Sequence, residues 1–104
     1  AHDFAPAALV GVYLNRFTRT RTGHDITYLR FAFAGTVGTH HEWRALDEGI
    51  VRTVWMTLDE LHASAARHRS PLVLQCIQDY LAGQRAPLAL IHTDASVLQA
   101  TAAL

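Results

Sequence analysis

The stretch Ile26-Thr27-Tyr28-Leu29-Arg30-Phe31-Ala32-Phe33-Ala34 decides how this chain folds. It is rich in β-branched and aromatic residues, which suit a pleated, half-buried surface. Successive side chains of a strand point to opposite faces. Leu29, Phe31 and Phe33 therefore share one face, and Tyr28, Arg30 and Ala32 share the other. The first is expected to be core and the second mixed. Upstream, Ala8-Leu9-Val10-Gly11-Val12-Tyr13-Leu14 reads as a strand, with Pro6 marking the turn that leads into it. Between the two, Asn15-Arg16-Phe17-Thr18-Arg19-Thr20-Arg21-Thr22-Gly23-His24-Asp25 is polar and contains glycine, as the far end of an antiparallel hairpin should. Its arginines admit two readings, a phosphate-binding cluster or the solvated tip of a hairpin, and surface charge by itself needs no function.

Downstream, residues 35–45 read as a loop. They contain Gly38 and the pair His40-His41, whose adjacency does not match the usual spacing of structural zinc ligands. Asp47-Glu48 leads into an expected third strand, Gly49-Ile50-Val51-Arg52-Thr53-Val54-Trp55-Met56. Trp55 alternates there with Val51 and Thr53 and is expected in the core, while Arg52 faces either a site or solvent. Thr57-Leu58-Asp59-Glu60 fits a capping box, which makes its acidic residues structural. Ser70-Pro71 opens a further helix, with serine at the cap and proline at the first helical position. Leu72, Val73, Cys76, Ile77, Tyr80 and Leu81 recur along one face of it, and Gly83 and Pro87 end it. The tail, residues 93–104, is a short helix, a frayed end or a contact with another chain.

These elements make an α+β layer arrangement, and an incomplete one. A sheet with one apolar and one half-apolar face needs cover on both sides, yet both helices come late and can pack on one. The 104 residues suffice for one domain. Hydrophobic residues are 50% of the chain and charged residues 17%, below the usual share of about 25%. That points to full burial or to a missing partner surface. Nine basic and nine acidic residues cancel, so no overall field draws a nucleic-acid polymer or an anionic membrane. No apolar run is long enough for a membrane span and no secretory signal is present, so a cytoplasmic protein is expected. Cys76 cannot form an internal disulfide and suits packing better than catalysis.

His68-Arg69-Ser70-Pro71-Leu72-Val73, with Ile77, Tyr80 and Gly83-Gln84-Arg85-Ala86-Pro87-Leu88, resembles the C-terminal helix and tail of NudJ-like phosphatases within the Nudix hydrolase superfamily. Tyr28-Leu29-Arg30-Phe31-Ala32-Phe33 resembles the family's central strand. Asp47-Glu48 through Val54-Trp55-Met56-Thr57-Leu58-Asp59-Glu60-Leu61 resembles its acidic loop, tryptophan-bearing strand and following helix. The resemblance spans most of residues 8–92. It implies a Nudix-type α/β/α sandwich, here incomplete, with mixed-sheet strands and two C-terminal helices. The family's glycine-opened, glutamate-rich Nudix box is absent, and Ala1-His2-Asp3-Phe4-Ala5-Pro6 resembles the segment directly after that box. Residues 1–104 are thus expected to be the C-terminal portion of a single Nudix domain, lacking the N-terminal strands and the Nudix-box helix.

The resemblance implies Mg²⁺-dependent hydrolysis, with Mn²⁺ as a possible substitute, of nucleoside or small-molecule di- or triphosphates. The NudJ-like branch adds nucleoside phosphates and a pyrimidine diphosphate precursor of thiamine. Such chemistry needs cations held by several carboxylates, and this chain clusters too few. Among Glu42, Asp47 and Glu48, Glu48 is favoured as an auxiliary catalytic group, and Asp47 and Glu48 as metal ligands. Tyr28 and Arg30 are expected to bind substrate, the ring by stacking and the guanidinium by forking onto phosphate oxygens. A buried tyrosine and a structural arginine are the plainer reading. On these terms the intact protein is an enzyme and residues 1–104 alone are inactive. The alternative is a non-catalytic Nudix-like binding or oligomerisation module, hiding its apolar sheet face in a homodimer.

Overall fold

In the computed structural model, which describes residues 1–98, the chain runs β1 (His2–Thr18), β2 (Asp25–His40), α1 (Leu58–Ala63) and α2 (Leu72–Leu81), with 3-10 turns at Ala65–Arg67, Leu88–Leu90 and Ala95–Leu98. Residues 99–104 of the expected tail lie outside the described residues. β1 and β2 pair as one antiparallel hairpin. Both strands run further than their apolar centres, to 17 and 16 residues. The extension carries His40 into the ladder opposite His2, and Pro6 into β1 opposite Gly35, where a loop and a turn were expected. Proline donates nothing to a ladder and is tolerated where pairing is irregular. The register shifts between Pro6 and Ala8, and again between Leu9 and Gly11. At Gly35 the strands approach so closely that an added Cβ would lie 2.1 Å from the Ala5 carbonyl oxygen. Only glycine fits there.

The core sits where α2 and the chain beyond it close on β1. Leu9 and Val10, at the second register shift, are 7% and 5% exposed. Leu9 exchanges backbone hydrogen bonds of 2.8 and 2.7 Å with Ala86. Gln84 Nε2 donates to the Val10 carbonyl at 2.7 Å. The turn that returns the chain is a Schellman motif: Gln84 N donates to Asp79 O at 3.0 Å, Gly83 N donates to Tyr80 O at 3.0 Å, and Gly83 has φ +87°. Its geometry satisfies the last carbonyls of α2 and needs a residue without Cβ strain. In the last turn of α2, Tyr13 donates its hydroxyl to Asp79 Oδ2 at 2.7 Å, and Gln75 Nε2 donates to Asp79 Oδ1 at 2.9 Å. Burial first, then the Asp79 carboxylate, pushes the Tyr13 phenol up to about 12. Burial likewise raises the Cys76 thiol above its ordinary value, consistent with a packing role.

The expected core face is the open one. Leu29 is 57% exposed, and Phe31, Phe33, Val12 and Leu14 are exposed with it. α2 covers the mixed face instead: Tyr13, opposite Arg30, is bonded to α2, and its ring lies over Gly11, where an added Cβ would come 2.7 Å from the hydroxyl oxygen.

The expected third strand is also absent: residues 49–56 form neither strand nor helix. A strand exists through its ladder partners, and among the described residues β1 and β2 pair only with each other. Trp55, expected in the core, is consequently 78% exposed. The mixed sheet and the sandwich implied by the resemblance are therefore not formed by the described residues. A parallel pairing needs a crossover connection, and these two strands are joined by a hairpin.

The helix starts follow the sequence more closely. Thr57 Oγ1 accepts from Glu60 N at 3.2 Å, and Glu60 Oε1 accepts from Thr57 N at 3.1 Å, the reciprocal box expected. The helix it opens is only 6 residues long. α2 begins at Leu72, with the buried Ser70 hydroxyl accepting from Leu72 N at 3.2 Å. The chain exposes 8694 Å², against roughly 5800 Å² for a closed globule of its mass. Its radius of gyration is 16.6 Å, against about 13 Å for a compact domain. Among the described residues no helix is long and apolar enough to cross a membrane.

Candidate functional site

The mixed face that carries α2 over its first half becomes polar toward the hairpin tip. Tyr13 pairs with Arg30, Asn15 with Tyr28 and Phe17 with Ile26, so Asn15, Phe17, Tyr28 and Arg30 share one face. The turn ahead of α2 adds Arg69, and the tip adds Arg19. These six residues line a hollow of about 270 Å³. The Arg30 guanidinium lies 5.1 Å from the centre of the Tyr28 ring, within cation–π range. Phe17 leans on the other flank of Tyr28, the centroids 5.5 Å apart. Arg30 Nη1 also donates to Ser70 Oγ at 3.4 Å, a long bond. Since Ser70 Oγ accepts from the first turn of α2 as well, one hydroxyl ties the guanidinium to the helix start. Tyr28 and Arg30, expected to act together on substrate, are thus side by side.

The other expected residues stand elsewhere. Asp47 and Glu48 occupy an exposed turn closed by a 3.0 Å bond from Ile50 N to Asp47 O. Neither lines the Tyr28–Arg30 hollow. Among the described residues no group of three His, Cys, Asp or Glu side chains is placed to hold a metal ion. Mg²⁺ demands near-octahedral oxygen ligation, so these two neighbouring carboxylates do not make a metal centre by themselves.

Glu42 lines a different hollow, of about 460 Å³, together with His2, His40, Arg44, Arg52 and Trp55. There the His2 and His40 rings stack at 4.3 Å. Partial burial and then the His40 charge lower the His2 imidazole below its ordinary value. Asp3 nearby accepts from His41 Nε2 at 3.1 Å and from Arg44 at 3.0 Å. Those two bonds, that of His41 first, hold its carboxyl below the usual range.

Reading the sequence by segments missed Asn15, Phe17 and Arg69 as partners of Tyr28 and Arg30. For Asn15 and Phe17 the signal was available, since strand alternation carried across the hairpin puts both on the Tyr28 face. For Arg69 none was, because the route from α1 to α2 is a matter of tertiary packing.

A strand hairpin backed by one helix, with an aromatic and cationic hollow at its polar end, is what the chain offers a ligand, and its overall likeness is to a Nudix hydrolase. The chain is similar to the solved structure of a Nudix hydrolase from Nitrosomonas europaea, at 46% sequence identity and a TM-score of 0.77 over 89% of its own length. It spans 60% of the length of that protein. No protein-family model and no curated protein matches the chain.

Proposed function

We propose that this chain is the C-terminal portion of a Nudix-type hydrolase of the NudJ-like phosphatase branch, acting on nucleoside or small-molecule di- or triphosphates. The observation that carries the reading is the pairing of Tyr28 and Arg30 in one hollow of a chain 46% identical to a Nudix hydrolase. An aromatic ring beside a guanidinium suits a ligand that has both a flat ring and a phosphate. In this reading Mg²⁺, or Mn²⁺ in its place, supplies the charge that neutralises the reacting phosphoryl group. Glu48 and Asp47 act as auxiliary oxygen donors to a carboxylate set carried by another part of the protein. A cytoplasmic site of action fits the half-buried, unpaired Cys76. The intact gene product is expected to release phosphate or diphosphate from nucleotides in Mg²⁺, and residues 1–104 alone to release none. Full activity of the 104-residue chain would refute the auxiliary role given to Glu48 and Asp47.

One observation favours a second reading. The open face made by Val12, Leu14, Leu29 and Phe31 is the kind of surface an obligate homodimer hides, which suits a non-catalytic oligomerisation module. Monomeric sedimentation of the intact protein at micromolar concentration, with cooperative unfolding, would count against it.

A further inference from the structure

We propose that His2 and His40 form a two-histidine clip for a late first-row divalent metal ion, of the Zn²⁺, Ni²⁺ or Cu²⁺ kind, at the open end of the β1–β2 hairpin. The clip shares no residue with the Tyr28–Arg30 hollow and does not depend on the reading of the substrate.

Cross-strand pairing brings the two rings together. His2 and His40 are directly opposite in the ladder, and residues so placed have Cβ atoms about 4.5 to 5.5 Å apart. Successive residues of a strand point to opposite faces, so the histidine pair of the sequence divides. His41, one step past the end of β2, bonds to Asp3. His40 stacks on His2, the ring centres 4.3 Å apart and the planes 15° from parallel. His41 and His68 each hydrogen-bond a neighbouring side chain. The ring of neither His2 nor His40 makes a hydrogen bond among the described residues, which leaves the lone pair of each neutral imidazole open to a ligand.

Ligand chemistry then selects the ion. Two nitrogens on one tetrahedral ion, each about 2.0 to 2.1 Å from it, stand roughly 3.3 Å apart. That is close to the present spacing of the rings, and His40 is exposed, so a small swing of its ring suffices. Imidazole suits zinc, nickel and copper, whereas Mg²⁺ takes oxygen ligands. The hollow beside the two rings is lined by Arg44 and Arg52 and by one carboxylate, Glu42. A site of that charge draws no cation by its field alone, which disfavours Mg²⁺ and makes nitrogen ligation the source of affinity. Among the described residues no third His, Cys, Asp or Glu is placed to join the pair. Water therefore completes the coordination, and the ion is an exchangeable one, unlike the closed four-ligand sites of structural zinc.

The test is calorimetric titration of the full-length, untagged protein with Zn²⁺ in the presence of excess Mg²⁺. Zn²⁺ is expected to bind, and His2→Gln and His40→Gln are each expected to weaken it by about tenfold or more, as loss of one of two nitrogen ligands should. His24→Gln, at the far tip of the hairpin, is expected to change nothing. Zn²⁺ is also expected to raise the melting midpoint of the unaltered protein, as a ligand of the folded state does, and to raise that of either clip variant less. Midpoints measured without Zn²⁺ report whether each variant is folded. Absence of Zn²⁺ binding would overturn the proposal, as would unchanged affinity in the folded clip variants or an equal loss in His24→Gln. Displacement of Zn²⁺ by Mg²⁺ would overturn it too, since it would place the ion on oxygen ligands.

Discussion

Residues 26–34 and residues 49–56 have nearly the same composition of β-branched and aromatic side chains, yet one is the middle of a 16-residue strand and the other has no regular structure. The first has β1 alongside it, joined by a short tip that brings the partner back in register. The second has no neighbouring strand among the described residues. β propensity expresses how well a residue fits a pleated surface, so without a ladder it has nothing to act on. The same contrast separates Leu9, which is bonded on its second edge by Ala86, from Trp55, 78% exposed with its ring edge-on to His2 at 6.0 Å. Burial in this chain follows the β1–α2 closure, and side-chain hydrophobicity is a poor guide to it.

Replacing residues on the two sides of that contrast should give opposite results. Leu9→Ala is expected to have the largest effect, about 2 to 5 kcal/mol as for a buried leucine, read by urea denaturation. A loss under about 1 kcal/mol, the scale of a surface change, would mean that the β1–α2 junction is not the core. Tyr13→Phe is expected to cost about 1.5 to 3 kcal/mol, since it removes a hydrogen bond to a carboxylate. The phenol is held above its unfolded value, to about 12. Its contribution is therefore complete below about pH 10, the unfolded value, and is lost as pH rises toward 12. Alkaline unfolding should begin lower in Tyr13→Phe, where that contribution is already gone, and an identical alkaline midpoint in the two proteins would contradict the Tyr13–Asp79 bond. Thr57→Ala, which opens the capping box, is expected to cost about 1 kcal/mol, seen as faster amide exchange in α1. Hydrogen bonds from the Thr57 backbone and then its side chain hold the Glu60 carboxyl below its ordinary value. That contribution is present above the ordinary carboxylate pKa and fades as pH falls through the lowered one. Smallest of all, Trp55→Ala is expected to stay within about 0.5 kcal/mol, as surface substitutions do. A loss several times larger would place residues 49–56 in a packed layer.

How much of this was readable in the residues depended on range. The capping box at Thr57, the serine before Pro71 and the glycine stop at Gly83 are local hydrogen-bond arrangements, and each forms near where its sequence signal lies. The hairpin was readable because its tip and alternation are local too. What failed was long-range. Nothing in Leu29-Arg30-Phe31 says which face a helix from residue 72 will cover, and the placing of Tyr13 opposite Arg30, from which its hydroxyl reaches Asp79 of α2, depends on cross-strand register. The same held for the site. Tyr28 and Arg30 are two residues apart on one strand, and alternation alone put them together. Asp47 and Glu48 depend on where an exposed turn lies relative to metal-binding groups, which their neighbours in the sequence do not determine.

Whether the mixed face of the hairpin holds the substrate is tested most directly by the steady-state kinetics of the full-length protein in Mg²⁺ with a nucleoside diphosphate, comparing the unaltered protein with Arg30→Gln. A rise in KM of about tenfold or more, the effect of losing a charge-assisted contact to phosphate, with the melting midpoint unchanged, is the predicted result. An unaltered KM in a folded Arg30→Gln protein would contradict it and return Arg30 to the structural role of bracing Ser70 at the start of α2.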